Sequence, residues 1–138
     1  MDIRAAIAAY SPFNEQEAAD KELILDFLQK NPDAFYRTNR IAHMTASAWV
    51  VNPARDRVLM VYHNIYDSWS WTGGHADGEE NLAAVALREV REETGVRWFT
   101  LDGALEASTE PWFVQRIYGK LNEKLRKAQL ARERASFG

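Results

Sequence analysis

The sequence predicts a single domain of the α/β class, in which a group of strands is flanked by helices. Three observations predict this class. The length of 138 residues fits one domain, and contents of 46% hydrophobic and 27% charged residues are ordinary for a globular protein. Along the chain, apolar residues recur first at helical spacing, then at a period of two, and then at helical spacing again.

The first element is an amphipathic helix predicted over residues 15–30. Asn14 is a suitable N-cap, and Asn31-Pro32 ends the helix. The apolar positions at helical spacing are Ala19, Leu23, Phe27 and Leu28. We interpret about residues 1–40 as an N-terminal helical appendage within a single domain that spans residues 1–138.

Strands follow where the period of the apolar residues changes to two. Residues 43–51 and 58–63 are rich in strand formers, and residues 52–56 between them have the composition of a turn. These two strands are expected to pair as a hairpin. A third short strand is predicted over residues 69–71, just before Gly73-Gly74.

The second half of the chain is predicted to be mainly helical. A strong helix is expected over residues 81–94, stopped by Gly95, with one more strand over residues 96–99. A final helix begins near Pro111. Its apolar stripe is formed by Val114, Ile117, Leu121 and Leu125.

Composition excludes several classes of protein. The net charge of −3 gives no broad attraction to nucleic acid or to anionic membranes, and the absence of cysteine excludes disulfides and thiol catalysis. The N-terminal residues lack the pattern of a signal peptide, and no stretch approaches the roughly 18 apolar residues of a membrane span. We therefore expect a cytoplasmic protein without a nucleic-acid or membrane partner.

The most informative segment is residues 74–96, with the sequence GHADGEENLAAVALREVREETGV. On the predicted helix, Glu92 and Glu93 are three and four positions after Glu89, so the three carboxylates share one face. Such carboxylates repel one another unless a positive charge lies among them. Oxygen ligands at this spacing favour a hard cation, Mg²⁺ or Mn²⁺.

Two interpretations of this helix compete. In the functional one, Ala83, Leu87 and Val90 lie on another face and anchor the helix to the sheet, which leaves the carboxylates to bind a cation. In the alternative, the glutamates form an ordinary solvated face with arginines as surface partners. The fixed spacing of glycine, glutamate and arginine positions favours the functional interpretation.

The segment resembles the Nudix box, G-x5-E-x7-R-E-U-x-E-E-x-G-U, in which U is an apolar residue. It matches every fixed position, from Gly74 and Glu80 to Gly95 and Val96. The resemblance implies a Nudix-like α/β/α sandwich with a mixed sheet. It also implies metal-dependent hydrolysis of a nucleoside diphosphate linked to another moiety, with a small nucleotide-derived molecule as substrate.

The resemblance further implies a role for each matched position. The metal ligands would be the Gly73 carbonyl and the side chains of Glu89, Glu92 and Glu93. Residues with a catalytic role would be Glu80, Arg88 and Glu92: Glu80 would brace the loop, Arg88 would orient the glutamates, and Glu92 or Glu93 would accept the proton of water. Residues that bind substrate would be Gly74 and also His75, which is not a fixed position of the box but lies inside its loop. His43 and His63 are interpreted as strand residues rather than ligands.

The chain departs from the family pattern after the box. Residues 97–138 begin at once with a segment of the kind that usually comes much later in the family. We therefore expect a block of about 40–50 residues, with its strands, to be missing after the Nudix helix. A sheet without those strands has unpaired edges, which predicts a homodimer. The candidate contact residues are Trp98, Phe99, Trp112 and Phe113.

Two other functions stay open. One is a shortened Nudix-like module that binds metal or nucleotide, or serves in dimer assembly, without efficient catalysis. The other is a relative of isopentenyl-diphosphate isomerase, which shares the fold. That enzyme class needs a reactive cysteine and this chain has none, so the metal-dependent hydrolase is the function that the sequence favours.

Overall fold

A computed structural model of this protein describes residues 2–93 and 95–136. Its helices and strands, in chain order, are α1 Ile3–Ala9, α2 Glu15–Lys30, β1 Thr45–Ala48, β2 Arg57–His63, β3 Ser68–Ser70, β4 Thr72–His75, α3 Leu82–Glu92, β5 Val96–Thr100, α4 Leu101–Ala107, α5 Pro111–Phe113, a π-helix at Val114–Tyr118, and α6 Gly119–Ser136. This mixture of helices with antiparallel strand pairs confirms the predicted α/β class. The chain divides into two units, Met1–Ser47 with Gly73–Glu92, and Ala48–Thr72 with Glu93–Gly138.

The first unit contains the predicted N-terminal helix. α2 spans Glu15–Lys30, and the Asn14 side chain accepts a hydrogen bond from the Glu17 amide at 2.8 Å, so the predicted cap is confirmed. Helix α1 was not predicted, because its seven residues carry too short an apolar pattern to be recognised. The core of this unit consists of Leu28, Ala34, Phe35 and Ala76.

The second unit is built on an antiparallel sheet with the order β3-β2-β5. Val61 pairs with Ser70 on one side and with Val96 on the other, which makes β2 the central strand. The hairpin predicted between residues 43–51 and β2 forms only at its turn, where Val51 bridges Val58.

The rest of that prediction was wrong, because β1 pairs with β4 in a separate two-stranded sheet. Aromatic contacts on the three-stranded sheet stabilise the observed arrangement around β2. The Trp69 ring lies 5.3 Å from the Tyr62 ring and 4.9 Å from the Phe99 ring. Such cross-strand pairs stabilise one register over others.

Helix α3 and the segment after it agree in part with the prediction. α3 ends at Glu92, and the predicted last residue, Thr94, lies outside the described residues. Over residues 95–136 the structure has one strand, β5, followed by helices. α4 was not predicted; it begins at Leu101, and the hydroxyl of its N-cap residue Thr100 accepts a hydrogen bond from the Gly103 amide at 3.0 Å. In the described part of the chain, no helix has the length and apolar character needed to cross a bilayer.

Tyr118 ties the helices of the second unit to β3. Its side chain is fully buried, its ring stacks on Trp49 at 4.7 Å, and its hydroxyl lies 3.0 Å from the Ser70 hydroxyl. The hydroxyl also accepts a hydrogen bond from the Trp71 amide at 3.2 Å. Burial raises the pKa of this phenol above its ordinary value.

We expect Tyr118→Phe to lower the free energy of unfolding by about 1–3 kcal/mol, because the buried Ser70 hydroxyl and the partly buried Trp71 amide lose their partner while the ring stays in place. The measurement is urea unfolding followed by tryptophan fluorescence. Tyr66→Phe is the matched control, since Tyr66 is 61% exposed. A loss no larger than that of the control would contradict the role given to the hydroxyl.

Candidate active site

Helix α3 carries Arg88, Glu89 and Glu92 of the box, whereas Glu80 precedes the helix and Glu93 follows it. Asn81 starts it, because the side-chain oxygen of Asn81 accepts a hydrogen bond from the Ala84 amide at 3.3 Å. Leu82 packs against the core of the first unit, and Val85 is fully buried.

The prediction that Ala83, Leu87 and Val90 anchor this helix was wrong for two of the three. Ala83 is exposed and Leu87 is 57% exposed, whereas Val90 is partly buried. The reason is geometric: Val85 and Glu89 lie one turn apart, so a rotation that brings Glu89 to the loop also buries Val85. Leu87, two positions from each of them, then faces away.

Arg88 connects the helix to residues 73–80, which comprise the end of β4 and the loop after it and which we name the box loop. Its guanidinium donates one hydrogen bond to the His75 carbonyl at 2.9 Å and another to Glu89 Oε1 at 2.8 Å. The Glu89 side chain is only 19% exposed. Hydrogen bonding to Glu89 raises the pKa of Arg88, so the arginine holds its charge beside this carboxylate.

Two glycines of the box loop, Gly73 and Gly74, allow other groups to lie close to its backbone. A Cβ on Gly74 would collide with the Glu89 carboxylate, so Glu89 can lie against the loop backbone only because residue 74 is glycine. A Cβ on Gly73 would collide with the Ser47 hydroxyl and lie 2.9 Å from the Ala46 carbonyl oxygen. Gly73 therefore permits the close contact with β1.

The remaining acidic candidates are more open. The Glu80 side chain is 67% exposed and lies 4.0 Å from the Arg4 guanidinium. Glu92 is exposed as the last residue of α3, and Glu93 follows it directly. Among residues 2–93 and 95–136, no three acidic or histidine side chains converge on one point. The structure therefore groups Gly74, His75, Arg88 and Glu89, and leaves Glu80 and Glu92 at the surface.

A histidine pair adjoins this group, and sequence reasoning missed it. His43 Nε2 lies 2.8 Å from His75 Nδ1, and the two ring centroids are 4.9 Å apart. One nitrogen must donate and the other accept, so the contact fixes the relative tautomers of the two rings. The two residues are 32 positions apart, and no local pattern indicates such a pair.

An ion pair on the box loop was also missed. Arg37 Nε and a terminal nitrogen donate to the two Asp77 oxygens at 2.5 Å and 2.7 Å. The pair holds the pKa of Asp77 below its ordinary value and raises that of Arg37. Asp77-Gly78 is itself a sequence signal for a turn, but nothing in the sequence identifies Arg37 as the partner.

Comparison with known proteins identifies the family to which this chain belongs. Residues 42–125, more than half of the chain, match the family model of the NUDIX domain. The chain belongs to the Nudix family. Arg88, Glu89 and the box loop are therefore the arginine, the first helical glutamate and the glycine loop of a Nudix box.

This Nudix protein is also similar to a curated protein of Streptomyces rubellomurinus (strain ATCC 31215). That relative is named CMP-5'-(N-acetyl-N-hydroxy-3-aminopropyl)phosphonate hydrolase, and it is 43% identical over 56 residues. The match covers 38% of this chain and 27% of the relative, so the chain corresponds to about a quarter of that protein's length.

The two loop glycines of this Nudix protein should differ in their tolerance of a methyl group. We expect Gly73→Ala to lower the free energy of unfolding by about 1–3 kcal/mol, because the added carbon meets the Ala46 backbone. Gly74→Ala should lower the free energy of unfolding by less than Gly73→Ala does, since the atoms that collide with the added methyl group are at the flexible end of the Glu89 side chain. Urea unfolding of both variants measures the difference. Equal losses would show that Glu89 does not yield to the added methyl group.

Proposed function

We propose that this chain is a Mg²⁺- or Mn²⁺-dependent Nudix hydrolase that cleaves the pyrophosphate bond of a nucleoside diphosphate linked to another moiety. The observation that carries the proposal is the bridge made by Arg88 between the His75 carbonyl and Glu89. Through it, the loop and the helix of the box form one connected arrangement. Membership of the Nudix family supports the same reaction class.

The donor groups of the box suit a hard divalent cation. We assign its binding to oxygen ligands alone, which are the Gly73 carbonyl and the carboxylates of Glu89, Glu92 and Glu93. Gly74 supports this assignment, because its missing side chain leaves room for the Glu89 carboxylate against the loop. When bound, the cation would supply positive charge to the phosphoryl oxygens of the substrate.

The protein groups have separate tasks in this proposal. Arg88 orients Glu89 through a charged hydrogen bond and fixes the position of the loop carbonyl beside it. Glu92 is exposed at the end of α3 and is open to water. It accepts a proton from the water molecule whose oxygen bonds to phosphorus, with Glu93 as the alternative, while the bridging oxygen leaves phosphorus with the electron pair of the broken bond. Glu80 braces the loop beside Arg4.

We propose a small nucleotide-linked compound as the substrate, bound beside Gly74 and His75. The name of the Streptomyces relative describes a hydrolase of a CMP-linked phosphonate, which supports a nucleotide joined to a second acidic group. The chain itself carries a net charge of −3. Local positive charge at the site is therefore needed to attract such an anion.

The first test is product release from nucleoside triphosphates, nucleotide sugars, dinucleoside polyphosphates, ADP-ribose and CMP-linked phosphonates with Mg²⁺ or Mn²⁺. We expect turnover that EDTA removes. Glu92→Gln/Glu93→Gln should lower kcat by a factor of at least about 10². The double change removes the proposed proton acceptor, a contribution of about 10² to 10⁴, together with two proposed metal ligands. Glu106→Gln, an exposed change on α4, is the matched control and should leave kcat unchanged.

A Nudix module without efficient catalysis is the second candidate. It is favoured by the separation of the acidic side chains, since no three of them converge in the described residues. Manganese titration followed by electron paramagnetic resonance distinguishes the two candidates. The module would be established if the folded protein binds Mn²⁺, if Glu89→Gln weakens that binding, and if no substrate is turned over. The same result would exclude the hydrolase proposal.

We also propose that the chain forms a homodimer through β5. This strand pairs with β2 on one side and is an edge of its sheet, and an unpaired edge is a site for strand addition. Trp98 on β5 is 44% exposed and Trp112 is 62% exposed. Phe99 and Phe113 pack against the core of the second unit instead. Of the four candidate contact residues, only Trp98 and Trp112 are therefore retained in the proposed dimer contact.

Light scattering coupled to size exclusion tests this dimer. We expect twice the chain mass for the wild type and the mass of one chain for Trp98→Glu, because a charge at the centre of an apolar contact opposes association. Leu23→Glu is the matched control, since Leu23 is 67% exposed on α2. A wild-type protein that stays monomeric at all concentrations would exclude the dimer.

A further inference from the structure

The box loop is held by a segment that begins before the family match and ends just inside it. Residues 34–44 run beside the loop, whereas the match to the Nudix domain begins at residue 42. The Ala76 amide donates to the Met44 carbonyl at 3.1 Å, and the Gly78 amide donates to the Phe35 carbonyl at 2.9 Å. The Met44 amide in turn donates to the Ala34 carbonyl at 2.7 Å. The loop and this segment are therefore joined along their backbones.

The turn at Asp77-Gly78 is a constrained part of the box loop. Both residues have positive φ, 50° at Asp77 and 91° at Gly78. Aspartate tolerates this region better than most residues with a side chain, but it still needs support from its surroundings. A Cβ on Gly78 would lie 2.7 Å from the Tyr36 ring, so the turn is packed against the preceding segment.

Arg37 supplies that support by binding both oxygens of Asp77. The Arg37 and Asp77 side chains are 58% and 43% exposed, and ion pairs this exposed contribute little to global stability. A guanidinium that binds a carboxylate in a bidentate manner does, however, fix the orientation of that carboxylate. The effect of the pair is thus expected in the local geometry of the turn rather than in the stability of the fold.

The charges around the turn belong to the same site. The pKa of Arg37 is raised mainly by its bond to Asp77 and also by the charge of Glu89. The pKa of Asp77 is lowered mainly by Arg37, with smaller contributions from His75 and Arg88. Arg37 therefore lies near the residues that Arg88 organises, and its hydrogen-bonded partner in the box loop is Asp77.

We propose that Arg37 is a positioning residue for the Nudix box. Through Asp77 it sets the course of the backbone between His75 and Glu80. In doing so it places the His75 carbonyl, to which Arg88 must donate while it holds Glu89. This role concerns the geometry of the loop, so it goes beyond the proposed hydrolysis and does not depend on it.

The test compares Arg37→Gln, Asp77→Asn, the double variant and Arg37→Lys in the full chain. The readout is amide hydrogen exchange at Ala76 and Gly78, followed by nuclear magnetic resonance without metal. Arg126→Gln is the matched control, because Arg126 forms a similarly exposed ion pair with Asp102 in the second unit. Asparagine is chosen at residue 77 because it also tolerates positive φ.

We expect Arg37→Gln and Asp77→Asn each to speed exchange at the two amides by at least about tenfold, as local opening requires. The urea midpoint should stay at that of Arg126→Gln. The double variant should be no faster than either single one, because both remove the same interaction. Arg37→Lys should restore part of the protection, since it keeps the charge but not the two-bonded geometry.

A second readout connects the loop to the metal ligands. Mn²⁺ affinity should fall by about tenfold in Arg37→Gln, a typical effect of residues that support metal ligands. Exchange at Ala76 and Gly78 that matches the Arg126→Gln control would overturn the proposal, and so would additive effects in the double variant. If the wild type binds no Mn²⁺, the proposed function fails, while the exchange data still decide the role of Arg37.

Discussion

The site depends on one interaction, the bridge from the Arg88 guanidinium to the His75 carbonyl and the Glu89 carboxylate. Each end of the bridge needs its own structural condition. Glu89 reaches the loop because Gly74 has no side chain in its path. The helix presents both charged residues to the loop because Val85, one turn earlier, is buried and fixes its rotation. Loss of either condition would leave the arginine with one partner.

The same bridge separates the roles of the glutamates. Glu89 is partly buried and paired, so its charge is already compensated by Arg88. Glu92 has no comparable enclosure at the exposed end of the helix. In the proposed metal site, the Glu89 carboxylate would therefore already be held in position by the protein, whereas the exposed Glu92 side chain would have to be ordered when the cation binds. Pre-organisation of Glu89 is thus the main contribution of the fold to the proposed metal site.

Local signals in the sequence were sufficient for the elements that local interactions determine. The cap at Asn14, the span of α2 and the residues of the Nudix box follow from patterns within a few positions. Contacts between distant segments were beyond such signals. The His43–His75 and Arg37–Asp77 pairs join residues 32 and 40 positions apart. The partner of β1 and the outward face at Leu87 likewise depend on packing that no single segment encodes.

The residues before the family match are therefore part of the site's support. Ala34 and Phe35 are buried and form one cluster with Ala76 of the box loop. A chain that began at residue 42, where the match starts, would uncover Ala76 and leave the Gly78 amide without the Phe35 carbonyl. An amide that loses its protein partner opens the loop to water and to alternative turns. The boundary of the sequence family and the boundary of the folded site thus differ by one short segment, and Arg37 lies in it.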